Sequence, residues 1–156
     1  MPISGTTIDY SLRTKDLFIF KGYDINKRSP ITPEFGKISG FCAGIEKLIQ
    51  RFAITFLTVL GSQPTYSDFG TSFLTDIGSN NQKLNRADLY PIFNIAASKV
   101  VEEFTAYQNA NPGLPLDEQI LSATLTGFTF INGQLSLDIL ITPLQQPSVV
   151  FLLPLP

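Results

Sequence analysis

Histidine is missing from all 156 residues of this chain. Its absence removes the usual general base near neutral pH and the commonest metal ligand. A Ser-His-Asp triad and a Cys-His pair are both excluded. Cysteine occurs once, at Cys42, so there is no internal disulfide and no cysteine-based zinc site. Tryptophan is absent while phenylalanine occurs 13 times, which predicts a core of large rings with few polar handles. Charge is sparse, and the net value is −2. Basic residues form no run longer than Lys27-Arg28, so the positive stripe that nucleic acid requires is not there. Glycine-rich phosphate loops and acidic calcium loops are missing too, and no cofactor or metal is expected. The longest apolar stretch, Ile45 to Leu60, is interrupted by Glu46, Lys47, Gln50 and Arg51 and is too short and too polar to cross a bilayer. The opening "MPISGTTIDYSLRTKD" has no apolar signal region, so folding in a reducing cytoplasm with no membrane partner is the expectation.

What is present reads as one α+β domain with an extended N-terminal arm. Residues 1–40 form the arm: "DLFIFKGYDI" is a short strand or a clamped loop, and Pro30, Pro33, Gly36 and Gly40 keep the next stretch from being helical. Residues 41–156 form the domain. Ile45, Leu48, Ile49, Phe52, Phe56 and Leu60 recur at helical spacing, with Glu46, Lys47, Gln50 and Arg51 on the opposite side. Gly61 and Pro64 are expected to end that helix. "TSFLTDI" suggests one or two helical turns capped by Thr71 or Ser72. A second long helix is predicted from Asn85 or Arg86 to about Asn109, with Pro91 in its first turn or at its start. The remainder is a β meander. The phase change at Gly127 predicts a bulge, Asn132-Gly133 a hairpin, and "SVVFLLPLP" a final apolar strand. The expected architecture is two main helices packed on a small antiparallel β meander.

Candidate chemistry is thin. Glu34 in "TPEFG" and Asp68 in "SDFG" both precede Phe-Gly, and a pair of carboxylates is the minimum for glycoside hydrolysis. The stronger reading of the same residues is as turns, where Asp bonds its own backbone and Gly supplies positive φ. Asp117 and Glu118 read as a solvated turn. Cys42 reads as a buried structural thiol. The C-terminal strand stands out more. If Val149, Val150, Phe151, Leu152 and Leu153 lie at a sheet edge, they are a template for a strand from another chain, blunted near the end by Pro154 and Pro156. The alternative is that this strand only completes its own sheet.

The order of these elements resembles the lysozyme-like baseplate wedge family of contractile phage tails, also called the W or sheath-initiator family, which has a relative in the type VI secretion baseplate. "YDIN" leads to the helix "GIEKLIQRFAITFLTVLGSQP". The turn with Pro64, Tyr66, Asp68, Phe69 and Gly70 follows, then a short helix, a long helix and a meander. The likeness spans Tyr23 to Pro154. Many members carry Glu-Pro-Arg before the first strand of the meander. Here that place reads "LPLDEQI", with Glu118 in the acidic position and no Pro-Arg after it, so any contact that arginine makes in relatives is made differently.

The resemblance implies a structural, non-enzymatic virion protein of the tail baseplate, made in the host cytoplasm. Its partners would be the tail sheath protein, other baseplate wedge proteins and the tail tube or hub. It would join the baseplate core to the first sheath ring and prime sheath assembly by strand exchange, with six copies around the tail. Two other readings stand beside it: a muramidase-like hydrolase using Glu34 or Asp68, and another small tail-completion or adaptor protein. The turn at Asp68 is expected to be architecture, with Tyr66, Phe69 and Phe73 as aromatic anchors. On that reading Asp68→Asn leaves function unchanged, and Phe69→Ala costs about 3–5 kcal/mol in chemical denaturation if its ring is in the core.

Overall fold

The computed structural model describes residues 12–17, 19–21, 32–33, 40–79, 85–131 and 133–155. Three helices lie against one face of a three-stranded antiparallel meander, an α+β fold. Helix α1 is Ile45–Leu57, α2 is Phe73–Ser79 and α3 is Arg86–Ala110. The N-terminal segment adds two short ladders. Strand β1 (Asp16–Leu17) pairs with β4 (Phe41–Cys42), and β2 (Phe20–Lys21) pairs with β3 (Thr32–Pro33). The meander is β5 (Ile120–Ile131), β6 (Gln134–Pro143) and β7 (Val149–Pro154), in that spatial order.

The apolar stripe of α1 is buried as its spacing requires: Ile45, Leu48, Ile49, Phe52, Ala53 and Phe56 all lie in the core. The helix stops at Leu57, three residues before the expected end. Thr58 turns extended, and its hydroxyl donates to the Ile54 carbonyl at 2.7 Å. The chain leaves the helix because Val59 forms a parallel bridge to Thr71, closed by Leu60 N–H to Thr71 O at 3.0 Å and Thr71 N–H to Thr58 O at 2.8 Å. Leu60 is therefore exposed rather than part of the stripe. Gly61 (φ 77) turns the loop after the bridge instead of capping the helix.

"GSQPTYSDFG" is thus a loop pinned at its neck. Gly70 is obligatory there, because its φ is 98 and a Cβ would lie 2.4 Å from the Thr58 carbonyl oxygen. Thr71 donates to Phe56 O at 2.7 Å and accepts from Phe73 N–H at 3.2 Å, so it ties α1 to the start of α2. Of the three expected anchors only Phe73 is in the core; Phe69 is half-buried and Tyr66 is exposed.

Helix α3 starts where the sequence placed it. The Asn85 side chain accepts from Asp88 N–H at 3.0 Å, a standard N-cap bond. Pro91 lies in the second turn, not the first, where its missing N–H leaves the Ala87 carbonyl without the usual i+4 donor. Leu89, Phe93, Ala96, Val100 and Phe104 face the core, while Tyr107 at the end of the stripe is exposed.

Strand β5 carries two irregularities. The one between Leu125 and Gly127 is the bulge that the phase change predicted. The other, between Ile120 and Ser122, buries Ile120 and turns Leu121 outward. Gly133 (φ 80) makes the hairpin, with Ile131 opposite Gln134. Leu135, Leu137, Ile139 and Ile141 of β6 face the helices, joined by Phe151 and Leu153 of β7.

Five rings form the centre of the core. Phe56 lies 5.5 Å from Phe52, 4.4 Å from Phe73 and 5.2 Å from Phe93, centroid to centroid. Phe52 in turn meets Phe151 edge-on at 6.3 Å. Replacing Phe56 with alanine should cost about 3–5 kcal/mol. Phe69→Ala, at a half-buried site, should cost about 1–2 kcal/mol, below the value its sequence position suggested. Urea denaturation of both variants with unchanged m-values checks the order.

Candidate functional site

Two features rise above ordinary packing. The first is a polar cradle at the start of α1. The residue before the helix is Gly44 (φ 64), which has no side chain to cap it. Glu118, 74 residues away in the short 3-10 helix Leu116–Glu118, binds the backbone of this residue: Gly44 N–H donates to its Oε1 at 3.1 Å. This is the bond that a glutamate three residues into a helix makes in a capping box, delivered here from elsewhere in the fold. The other carboxylate oxygen of Glu118 lies 3.1 Å from Lys47 Nζ. Beside it, Arg13 Nη1 donates to both carboxylate oxygens of Asp117, at 2.5 Å and 2.6 Å.

The solvated turn expected at Asp117 and Glu118 is therefore wrong: they are 2 % and 3 % exposed. They are buried because each meets a cation, without which a buried carboxylate is costly. The polar side of α1 is corrected in the same way. Lys47 and Gln50 are buried because the arm lies over them. Lys47 Nζ donates to Thr14 O at 3.1 Å and Gln50 Nε2 to Leu17 O at 2.9 Å, while Gln50 Oε1 accepts from Ile19 N–H at 2.9 Å. One amide side chain thus serves a donor and an acceptor of the arm, as a neighbouring strand would. Arg51 packs its guanidinium over Phe104 and Tyr107, 5.1 Å and 4.8 Å from the ring centroids. An open cleft of about 510 Å³ adjoins the cradle, lined by Leu12, Arg13, Lys47, Tyr107, Leu114 and Glu118, among others.

The second feature is the outer edge of β7. Leu155 N–H donates to Leu135 O at 2.8 Å, directly beyond the Pro154–Ser136 pair. Antiparallel hydrogen-bonded pairs alternate, so Leu153, Phe151 and Val149 also bond toward β6. Val150 and Leu152 then direct their N–H and C=O groups to the other side, where no strand pairs with them among the described residues. Pro154 belongs to this outward set, and a proline fits there because its missing N–H costs the sheet nothing. The opposite edge, β5, is interrupted by its two bulges, which blunt it. The two faces of β7 are unlike. Phe151 and Leu153 are buried under the helices, whereas Val150 and Leu152 are only partly covered.

The remaining candidates separate. Asp68 is exposed, and it is held through its backbone: Lys99 Nζ donates to the Asp68 and Gly70 carbonyls at 2.9 Å and 2.8 Å. Lys99 also lies 3.7 Å from Glu103, whose carboxyl burial pushes above the usual range, with Lys99 pulling the other way. Glu34 falls outside the described residues. Cys42 is 1 % exposed, and burial raises its thiol to about 11, so it is protonated and inert at neutral pH. Among the described residues no helix is long and apolar enough to cross a membrane.

Sequence reasoning named Glu118 and the β7 residues but missed Arg13, Lys47, Gln50 and Asp117. The available signal was a polar helix face together with a turn-rich N-terminal segment. No protein-family model, curated protein or solved structure matches this chain. Glu118→Ala strands both Lys47 and the Gly44 N–H and should cost about 3–5 kcal/mol, as loss of one partner from a buried pair does. Glu118→Gln keeps an acceptor for Gly44 and should cost less, which paired denaturation curves check.

Proposed function

We propose that this chain is a structural wedge protein of a contractile phage tail baseplate, linking the wedge core to the first ring of the sheath. Its site of action is the outer edge of β7, and its partner there is an extended strand of the sheath protein. Other wedge proteins contact the chain elsewhere. The observation that carries this reading is the combination at Val150 and Leu152: backbone groups aimed away from β6, on a strand whose inner face is locked into the core. Strand addition of this kind draws affinity from main-chain hydrogen bonds and register from alternate side chains. The two partly covered apolar side chains give an added strand something to pack beside.

The resemblance in element order supports the tail setting, and the exposure of Asp68 gives the hydrolase reading nothing further. A test needs a variant that spares the core. Truncating residues 148–156 would remove Phe151 and Leu153 and unfold the domain. Leu152→Pro instead deletes one outward N–H and leaves the bonds to β6 in place. The purified variant should melt within a few degrees of the parent, since edge positions tolerate proline. Particles carrying it should show baseplates without attached sheath by electron microscopy. Normally sheathed particles would remove β7 as the joint.

A further inference from the structure

We propose that the cleft between the α1–α2 loop and α3 receives an arginine side chain of a partner protein, held by Asp68 and Glu103 and stacked on Tyr66 and Phe69. The contact involves no residue of β7 and does not depend on its role.

The cleft has a volume of about 420 Å³, and Tyr66, Asp68, Phe69 and Glu103 are among its walls. Two rings and two carboxylates around one space are the complement of a planar cation. Tyr66 is 68 % exposed, Asp68 is exposed, and Phe69 is half-buried, so each has surface to offer. Among the described residues, no hydrogen bond or ion pair reaches the Asp68 carboxylate. Lys99 does not supply one. Its ammonium donates to the Asp68 and Gly70 carbonyls at 2.9 Å and 2.8 Å and lies 3.7 Å from Glu103. Lysine placed four residues before glutamate is also the weaker order for a helical pair. Burial raises the Glu103 carboxyl, Lys99 lowers it, and Asp68 raises it again, so the two acids act on one another. With Lys99 set against one of them, a net negative charge still faces the cleft. A second cation answers it.

Guanidinium fits better than ammonium. Its flat fork bonds two separate carboxylates while its face lies on a ring. The fold already uses this stacking within itself: Arg51 lies 5.1 Å and 4.8 Å from the ring centroids of Phe104 and Tyr107. The source is a protein because the cleft is open, walled by five consecutive loop residues and one helix residue. A small molecule binds where most of its surface is enclosed, whereas a side chain presented by a partner brings its own cover. The loop is also set in advance. Tyr66 N–H donates to Gln63 O at 3.2 Å and Phe69 N–H to Tyr66 O at 3.1 Å, and Lys99 fixes the far end. Groups held in place before binding cost less to order.

The probe is the tripeptide acetyl-Gly-Arg-Gly-amide. It is titrated into the full-length chain labelled with nitrogen-15, at low salt, where exposed charges are least screened. Amide shifts are followed by NMR. A second peptide with citrulline for arginine keeps the shape and removes the charge. Saturable shifts at Tyr66, Ser67 and Phe69 are expected with arginine, and binding about fivefold weaker or more with citrulline. Asp68→Asn and Tyr66→Ala should each weaken the arginine peptide about threefold. Both should leave the other amide signals in place, since the loop is held by the Asp68 carbonyl and not by its carboxylate. No saturable shift at residues 65–69, or equal binding of the citrulline peptide, would overturn the proposal. Binding undiminished in a chain carrying both Asp68→Asn and Glu103→Gln would overturn the two acids as its basis.

Discussion

The position of Phe56 is the constraint on which the rest of this structure depends. Its ring touches Phe52 on the same helix, Phe73 on α2 and Phe93 on α3. Through Phe52 the contact reaches Phe151 on the last strand. Four elements far apart in sequence are therefore fixed by one group of rings. Aromatic pairs at these separations contribute beyond the area they bury. The backbone of Phe56 is anchored as well, because its carbonyl accepts the Thr71 hydroxyl that also serves the start of α2. The tight loop between α1 and α2 exists to bring Thr71 there, and Gly70 is the residue that lets the chain pass Thr58 closely enough.

From that centre the two ends of the molecule acquire different characters. At β7 the inner face is committed to the core, so the outer edge is held in a strand conformation with no further strand paired to it among the described residues. An edge preorganised in this way binds an added strand at a smaller entropic cost than a loose segment would. At the start of α1 the situation is reversed. The body there is polar and buried, with Glu118 accepting the Gly44 N–H, and the arm that lies over it packs Ile19 against the core while leaving Leu12 and Leu17 exposed. One end has outward backbone groups along β7; the other is closed by the chain's own arm.

Much of this was legible in the sequence, and the failures have physical causes. The helical stripes, the start of α3 at Asn85 or Arg86, the bulge at Gly127 and the strand "VVFLLP" all depend on near neighbours in the chain, and local pattern reports them. Asp117 and Glu118 were misread as solvated because polarity was taken as exposure, and the burial of Lys47 and Gln50 was not foreseen. Each is buried by a partner between 30 and about 100 residues away, which no local pattern encodes. The early end of α1 came from a bridge to Thr71, again non-local. Phe69 was overrated since an aromatic beside a glycine turn says nothing about which side of the loop it faces. The edge position of β7 was foreseen as one of two alternatives; the register with β6, and the place of Pro154 in it, decided which groups point outward.

What lies beside Val150 and Leu152 in an assembled particle decides whether β7 is the joint. Electron cryomicroscopy of an intact tail, at a resolution that traces main chain around the baseplate, would show it directly. The prediction is a strand of the sheath protein hydrogen-bonded to the outer edge of β7, extending the three-stranded sheet to four. An edge open to solvent, or covered by residues of the same chain, would contradict it.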